Sequence, residues 1–155
     1  MPHHDAIPQQ LLASPSFQLE RLRRRTRDEV EAALAEHDTT MREFWVLTCL
    51  VEEATASQAA LGELLAIDAS DMVRLLDGLE QRNYVKRTRD KKDRRRQQVA
   101  ATKRGRNAQK KFAALIQQAE QRALDESSEK QLKHLRGLAK AIIATEEITV
   151  TEQDG

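Results

Sequence analysis

The sequence predicts a mainly α fold with one small β-hairpin, and three observations lead there. No proline follows Pro15 and only 5 glycines occur in 155 residues, so long helices are permitted almost everywhere beyond the first stretch. Apolar residues then recur at three- and four-residue spacing through successive capped segments, the signature of amphipathic helices. Between Asn83 and Thr102 that period lapses. Tyr84 to Arg89 and Arg95 to Ala101 read instead as two extended segments around a polar turn, Asp90 to Asp93.

Residues 1–15 contain all 3 prolines among polar residues and predict an irregular arm. From Ser16 to about His37, Leu19, Leu22, Thr26, Val30, Ala33, Leu34 and His37 form one stripe of a first long helix. Thr40 or Thr39 caps a second helix through Phe44, Leu47, Leu50, Val51 and Ala54, with Glu43 placed to complete a capping box with Thr40. Ser57 caps a short third helix with Leu61, Leu64 and Leu65 on its apolar face. A fourth runs from about Ser70 to Arg82 with Asp68 or Ser70 as cap. It buries Met72, Val73, Leu75, Leu76 and Leu79 and turns Asp71, Arg74 and Asp77 outward. Asn83 suits the left-handed residue that ends such a helix. In the hairpin Val85, Val99 and Ala101 point inward, leaving the basic side chains outside. Thr102 caps a fifth helix carrying Ala108, Phe112, Leu115, Ile116, Ala119 and Ala123. The last runs from about Ser127 to Glu146, with Leu132, Leu135, Leu138, Ala139, Ile142 and Ile143 to bury and a frayed end after Val150.

With 33% charged and 39% hydrophobic residues, the composition is that of a folded globular chain with one core of Leu, Val and Ala. A single cysteine excludes an internal disulfide. The longest apolar stretch, Phe44 to Val51, falls far short of the ~18 residues a membrane-spanning helix requires. Residues 1–20 lack the pattern of a secretory signal, so a cytoplasmic location is expected.

The net charge of +1 conceals strong segregation. Residues 82–111 hold 14 basic and 2 acidic side chains, a net of +12, whereas segments 1–54, 55–81 and 112–155 are each net acidic. Such a window points to a polyanion. Its context narrows the choice, because two short helices joined tightly and followed at once by a basic hairpin are the pattern of a winged helix-turn-helix, which places its second helix in the DNA major groove. There Arg74 has the geometry to bind guanine, Asp71 to accept from cytosine N4, and Ser70 to bind base or phosphate. Asp71 and Ser70 have a second reading as helix-capping residues. At the hairpin tip Lys91, Lys92, Arg94, Arg95 and Arg96 repel one another unless an anion is present, and an arginine there has the right shape for a narrow minor groove. Arg87, Arg89, Lys103, Arg104 and Arg106 are placed for phosphates. The partner expected is double-stranded DNA.

The stretch from Ala56 to Asn107 resembles the MarR family of bacterial transcriptional regulators. The family's wing signature, Asp-x-Arg-x-x-x-Val-x-Leu-Thr followed shortly by Gly, maps onto Asp93, Arg95, Val99, Ala101, Thr102 and Gly105, with Ala101 in place of Leu. Asn83 stands where the family usually has Gly. Chain length and flanking helices also match. The resemblance implies a homodimer reading a palindromic operator, with an N-terminal dimerisation helix over 16–38, a winged domain over 40–105, C-terminal dimerisation helices over 106–147 and a flexible tail over 148–155. It implies that Asp93 pairs with an arginine to fix the wing loop and that Arg95 enters the minor groove. It further implies release from DNA by a small aromatic or phenolic ligand, with repression as the role. The apolar residues of the last two helices agree, since they exceed what a lone helical hairpin hides.

Phe17, His37, Phe44 and Trp45 are candidates to line a ligand cleft, although aromatics at helical spacing are more often core. Cys49 is the candidate for thiol-based redox sensing, against its ordinary reading as a small buried hydrophobe. His3, His4, His37 and His134 are too scattered for a metal, and no cofactor is expected. No Gly-rich phosphate loop, nucleophile elbow or metal cluster appears, so the chain does not read as an enzyme. The remaining alternative is a helical protein-interaction module whose basic hairpin docks an acidic partner.

Overall fold

The computed structural model describes residues 6–153 and divides into two compact units, Met1–Ala123 and Leu124–Gly155. In the first unit the order is α1 (Gln9–Leu12), α2 (Pro15–Ala35), α3 (Met41–Glu52), β1 (Ala56–Ser57), α4 (Gln58–Leu65), α5 (Ala69–Gln81), β2 (Val85–Arg89), β3 (Gln97–Ala101) and α6 (Lys103–Ala123). The second unit carries α7 (Glu129–Gln153). The mainly helical architecture with a small antiparallel wing is the one expected from sequence.

Local chemistry sets the boundaries. Thr40 Oγ1 accepts from the Glu43 N–H at 3.2 Å, Ser57 Oγ from Ala60 at 3.1 Å and Asp68 Oδ1 from Asp71 at 2.9 Å, so α3, α4 and α5 all start at the expected caps. Helix α4 stops where Ala66 turns left-handed (φ 54°) and the Ile67 N–H returns to the Gly62 carbonyl. Helix α5 stops at Asn83 (φ 60°), beyond which the Tyr84 N–H reaches the Leu79 carbonyl. In the second unit Ser128 and Gln131 satisfy each other's backbone N–H, a reciprocal capping box that opens α7.

The core of the first unit joins Val30 and Leu34 of α2, Val46, Leu47 and Leu50 of α3, Leu61 and Ile67 around α4, and Met72, Leu76 and Leu79 of α5. Val85, Val99 and Ala101 of the wing and Ala108, Phe112 and Ala119 of α6 complete it. The inward residues foreseen for the hairpin are those found. β2 pairs with β3 in the register Val85↔Ala101, Arg87↔Val99 and Arg89↔Gln97.

Several expectations are corrected. Residues 6–15 are not wholly irregular, since α1 forms one turn and Pro15 begins α2, its fixed φ suiting a first helical position. A third strand, β1, pairs Ala56 with Val99 and Ser57 with Gln98; two residues are too few to show a period. Leu19, Leu64 and Val73 are exposed rather than buried, because these helices have core on one stripe only. The tail expected from residue 148 is helical through Gln153, and residues 154–155 lie outside the described residues, as do His3 and His4. Leu135, Leu138, Ile142 and Ile143 of α7, whose expected burial includes a second copy, are 38% to 64% exposed in the single chain.

Candidate nucleic-acid interface

The wing begins at a tightly built root. Tyr84 gives its carbonyl to the Thr102 N–H, while Thr102 Oγ1 donates to the Asn83 carbonyl at 2.6 Å and accepts from the Gly105 N–H at 3.0 Å. Gly105 lies directly against the Tyr84 backbone, where a Cβ would overlap the carbonyl. The glycine of the wing signature is therefore a close-approach residue. Arg82 and Arg104 both lie over the Tyr84 ring, 5.4 and 5.9 Å from its centre.

From this root the ribbon reaches a loop shaped by two aspartates. The Asp90 N–H donates to the Arg96 carbonyl at 2.9 Å, and Asp90 Oδ1 accepts from Lys92 N–H at 2.9 Å. Asp93 Oδ1 accepts from Arg95 N–H at 3.1 Å, and its carbonyl accepts from Arg96 N–H at 3.0 Å. Two side-chain-closed turns thus set the loop. The arginine ion pair expected for Asp93 is absent among the described residues, and its carboxylate bonds the Arg95 backbone amide instead. Asp90, read in the sequence only as part of the polar turn, shares the work, and the Lys92 amide holds its carboxyl below the usual range. Lys91, Lys92, Arg94, Arg95 and Arg96 are all exposed, and none forms a salt bridge among the described residues. Arg95 and Arg96 also edge a groove of about 440 Å3 with Gln58, Gly62 and Ile67 of the α4 region.

Helix α5 treats its polar residues differently. Ser70 donates to Asp68 Oδ1 at 2.8 Å, completing the cap that holds the Asp68 carboxyl below its usual range. Asp71 gives its N–H to the same cap and its carboxylate to Arg42 of α3, at 3.5 Å. The capping reading therefore describes Ser70 and the backbone of Asp71. Arg74 is exposed on the outer face beside Asp71 and Leu75, as foreseen. Arg87 departs from its expected place. Its side chain is only 18% exposed, and its guanidinium binds Asp77 at 2.5 Å and Glu80 at 3.3 Å instead of facing solvent.

Two residues not singled out for a site anchor this surface. Glu43, buried on α3, pairs with Arg82 at the end of α5. Arg82 also donates to the Gly78 carbonyl at 3.0 Å and the Asp38 carbonyl at 2.6 Å. Glu43 thus completes only half of the expected capping box, its carboxylate serving Arg82 instead.

The four ligand candidates do not converge. Phe17 lies at the start of α2, beneath Arg21 at 5.4 Å, and His37 just beyond its end, a separation of about 30 Å along the helix. Phe44 is half-buried against the core, and Trp45 is at the surface. His37 does join Phe112 (6.3 Å) and Tyr84, bordering a cavity of about 270 Å3 with Arg104, Asn107 and Lys111. Cys49 is a free, half-buried thiol whose pKa is raised by burial. No group of His, Cys, Asp or Glu suited to a metal occurs among the described residues, and none of their helices is long and apolar enough to cross a membrane.

Helix pair, wing and flanking helices define a winged helix-turn-helix. Residues 39–96 match the MarR family model. A MarR-family transcriptional regulator from Rhodococcus sp. RHA1 superposes with a TM-score of 0.80 at 28% identity, covering 87% of this chain and 96% of that one. CouR from Rhodococcus jostii RHA1, solved bound to p-coumaroyl-CoA, superposes at 0.72 with 29% identity over 87% of this chain and 95% of CouR. The HTH-type transcriptional regulator SarZ of Staphylococcus haemolyticus is 32% identical over 85 residues, 55% of this chain and 58% of SarZ. The chain thus spans little more than half the length of that curated relative. Over residues 39–96 the chain is thus similar to the MarR family, and its fold is that of the MarR-family regulator from Rhodococcus sp. RHA1.

Proposed function

We propose that the chain binds duplex DNA as a homodimer and regulates transcription, acting as a repressor at a palindromic operator in the cytoplasm. The observation that carries this reading is the wing tip, where five adjacent-loop cations stand exposed without salt bridges while neighbouring acidic residues are committed elsewhere. Self-repulsion of that kind is relieved by phosphates, and Arg95 has the reach and shape for a minor groove. Arg74 supplies the base-reading group in the major groove. The exposed apolar residues of α7 support a dimer, because Leu135, Leu138, Ile142 and Ile143 gain most by meeting a second copy. Two winged units related by a two-fold axis would read half-sites about one DNA turn apart.

Relief by a small aromatic or phenolic ligand is the regulation we assign. Its support is the cavity bordered by His37, Tyr84, Arg104, Lys111 and Phe112, which joins aromatic walls to cations at the wing root. Thiol sensing through Cys49 is the weaker reading, since burial keeps that thiol protonated and slow to react.

Selection of duplexes from a random pool by the full chain tests the DNA reading. The expected result is enrichment of an inverted repeat whose two halves are both protected in footprints. Failure to enrich any duplex, with capture of an acidic protein partner instead, contradicts it.

A further inference from the structure

We propose that Arg87 is a positioning residue that locks the wing to α5, so that tip and helix meet DNA at a fixed separation; this rests on the duplex-binding reading above. β2 is an edge strand, its order in the sheet being β1-β3-β2, so its outward N–H groups have no strand to bond. The Arg87 N–H is satisfied instead by Glu80 Oε2 of α5, at 3.2 Å. The same carboxylate accepts from Arg87 Nε at 3.3 Å, and Asp77 accepts from Nη2 at 2.5 Å. Asp77 and Glu80 lie one helical turn apart on the same face of α5.

One residue in the middle of β2 thus ties strand to helix through backbone and side chain together. Position explains why this side chain turns inward. Arg87 is two residues after Val85, and alternate residues of a strand share a face, so it follows Val85 toward the helices. An arginine committed to two carboxylates has little charge to offer a phosphate. Its contribution to DNA binding is geometric: β1 holds the ribbon on the β3 side at Val99 and Gln98, Arg87 holds the β2 side, and a tip steadied on both sides has less orientational freedom to lose on binding.

The double variant Asp77→Asn with Glu80→Gln separates the roles, since it keeps Arg87 and removes two negative charges. If Arg87 were a phosphate contact, freeing it would tighten duplex binding and leave the wing's contribution intact. Positioning gives the opposite for the wing. With a duplex selected by the wild-type chain as probe, Arg95→Ala weakens the otherwise wild-type protein roughly tenfold. In the double variant the same change costs less than about threefold, and minor-groove protection by the wing fades while major-groove protection by α5 persists. Glu80→Gln alone, retaining Asp77, gives an intermediate coupling, and thermal melting shows that each variant is folded. An undiminished Arg95 effect in the double variant, or wing protection equal to wild type, overturns the proposal. A wild-type chain that selects no duplex overturns the regulator reading itself, and that result is read before any variant is made.

Discussion

Helix α5 and the wing tip carry the two halves of the candidate interface, yet they use polar side chains in opposite ways. Along α5, Asp68, Ser70, Asp71, Asp77, Glu80 and the neighbouring Arg82 hold the fold together through caps and ion pairs, leaving Arg74 as the exposed cation of the outer face. At the tip, Asp90 and Asp93 bond backbone amides, and Lys91, Lys92, Arg94, Arg95 and Arg96 are left outward. Charge count therefore does not measure DNA-binding capacity. A cation contributes where its neighbours have no carboxylate to spare for it.

The difference becomes measurable as a division between stability and affinity. The largest stability loss is expected at the root common to both regions. Gly105→Val must push the start of α6 off the Tyr84 backbone, costing roughly 3 kcal/mol or more and lowering the denaturation midpoint sharply. A near-neutral result would show that the wing root is soft. Next is Arg82→Ala, which strands the buried Glu43 carboxylate and frees the end of α5 at a cost of about 3 kcal/mol. Urea unfolding measures it, and recovery in a double variant with Glu43→Gln would identify the ion pair as the cause.

A smaller effect follows from Asp68. Its folded-state pKa is depressed by the Asp71 N–H first and the Ser70 hydroxyl second, so the carboxylate stabilises the fold above its unfolded pKa. That contribution falls away as pH drops through the depressed folded value. Asp68→Asn should therefore lower the melting temperature modestly at neutral pH and flatten the acid limb, so that the two proteins converge at low pH. Equal acid limbs in the two proteins would place α5 stability elsewhere.

Much of this was legible in the sequence because it rests on short-range chemistry. Thr40, Ser57, Asp68 and Thr102 announce helix starts, Asn83 a helix end, and Val85, Val99 and Ala101 the inner face of the wing, each from its own few neighbours. What escaped depends on distant partners. Arg87 reads as a free cation until α5 brings Asp77 and Glu80 to it, although its place two residues after inward Val85 was a usable signal. The Arg82–Glu43 pair spans two helices and has no local signature. β1 is too short for a period, and exposed Leu64 and Val73 obey helical spacing without showing which side the core takes. Phe17 lies near the start of α2 and His37 just past its end, and the length of that helix keeps them apart.

On the proposed reading, the wing tip meets DNA with cations that no carboxylate among the described residues pairs. The salt dependence of binding to the selected duplex, compared for wild type and Arg95→Ala, tests it most directly. Wild-type affinity should fall steeply and linearly in a double-logarithmic plot, the slope should shrink by about one in the variant, and the two proteins should melt together. A shallow wild-type slope, or a variant that keeps both slope and affinity, would contradict it.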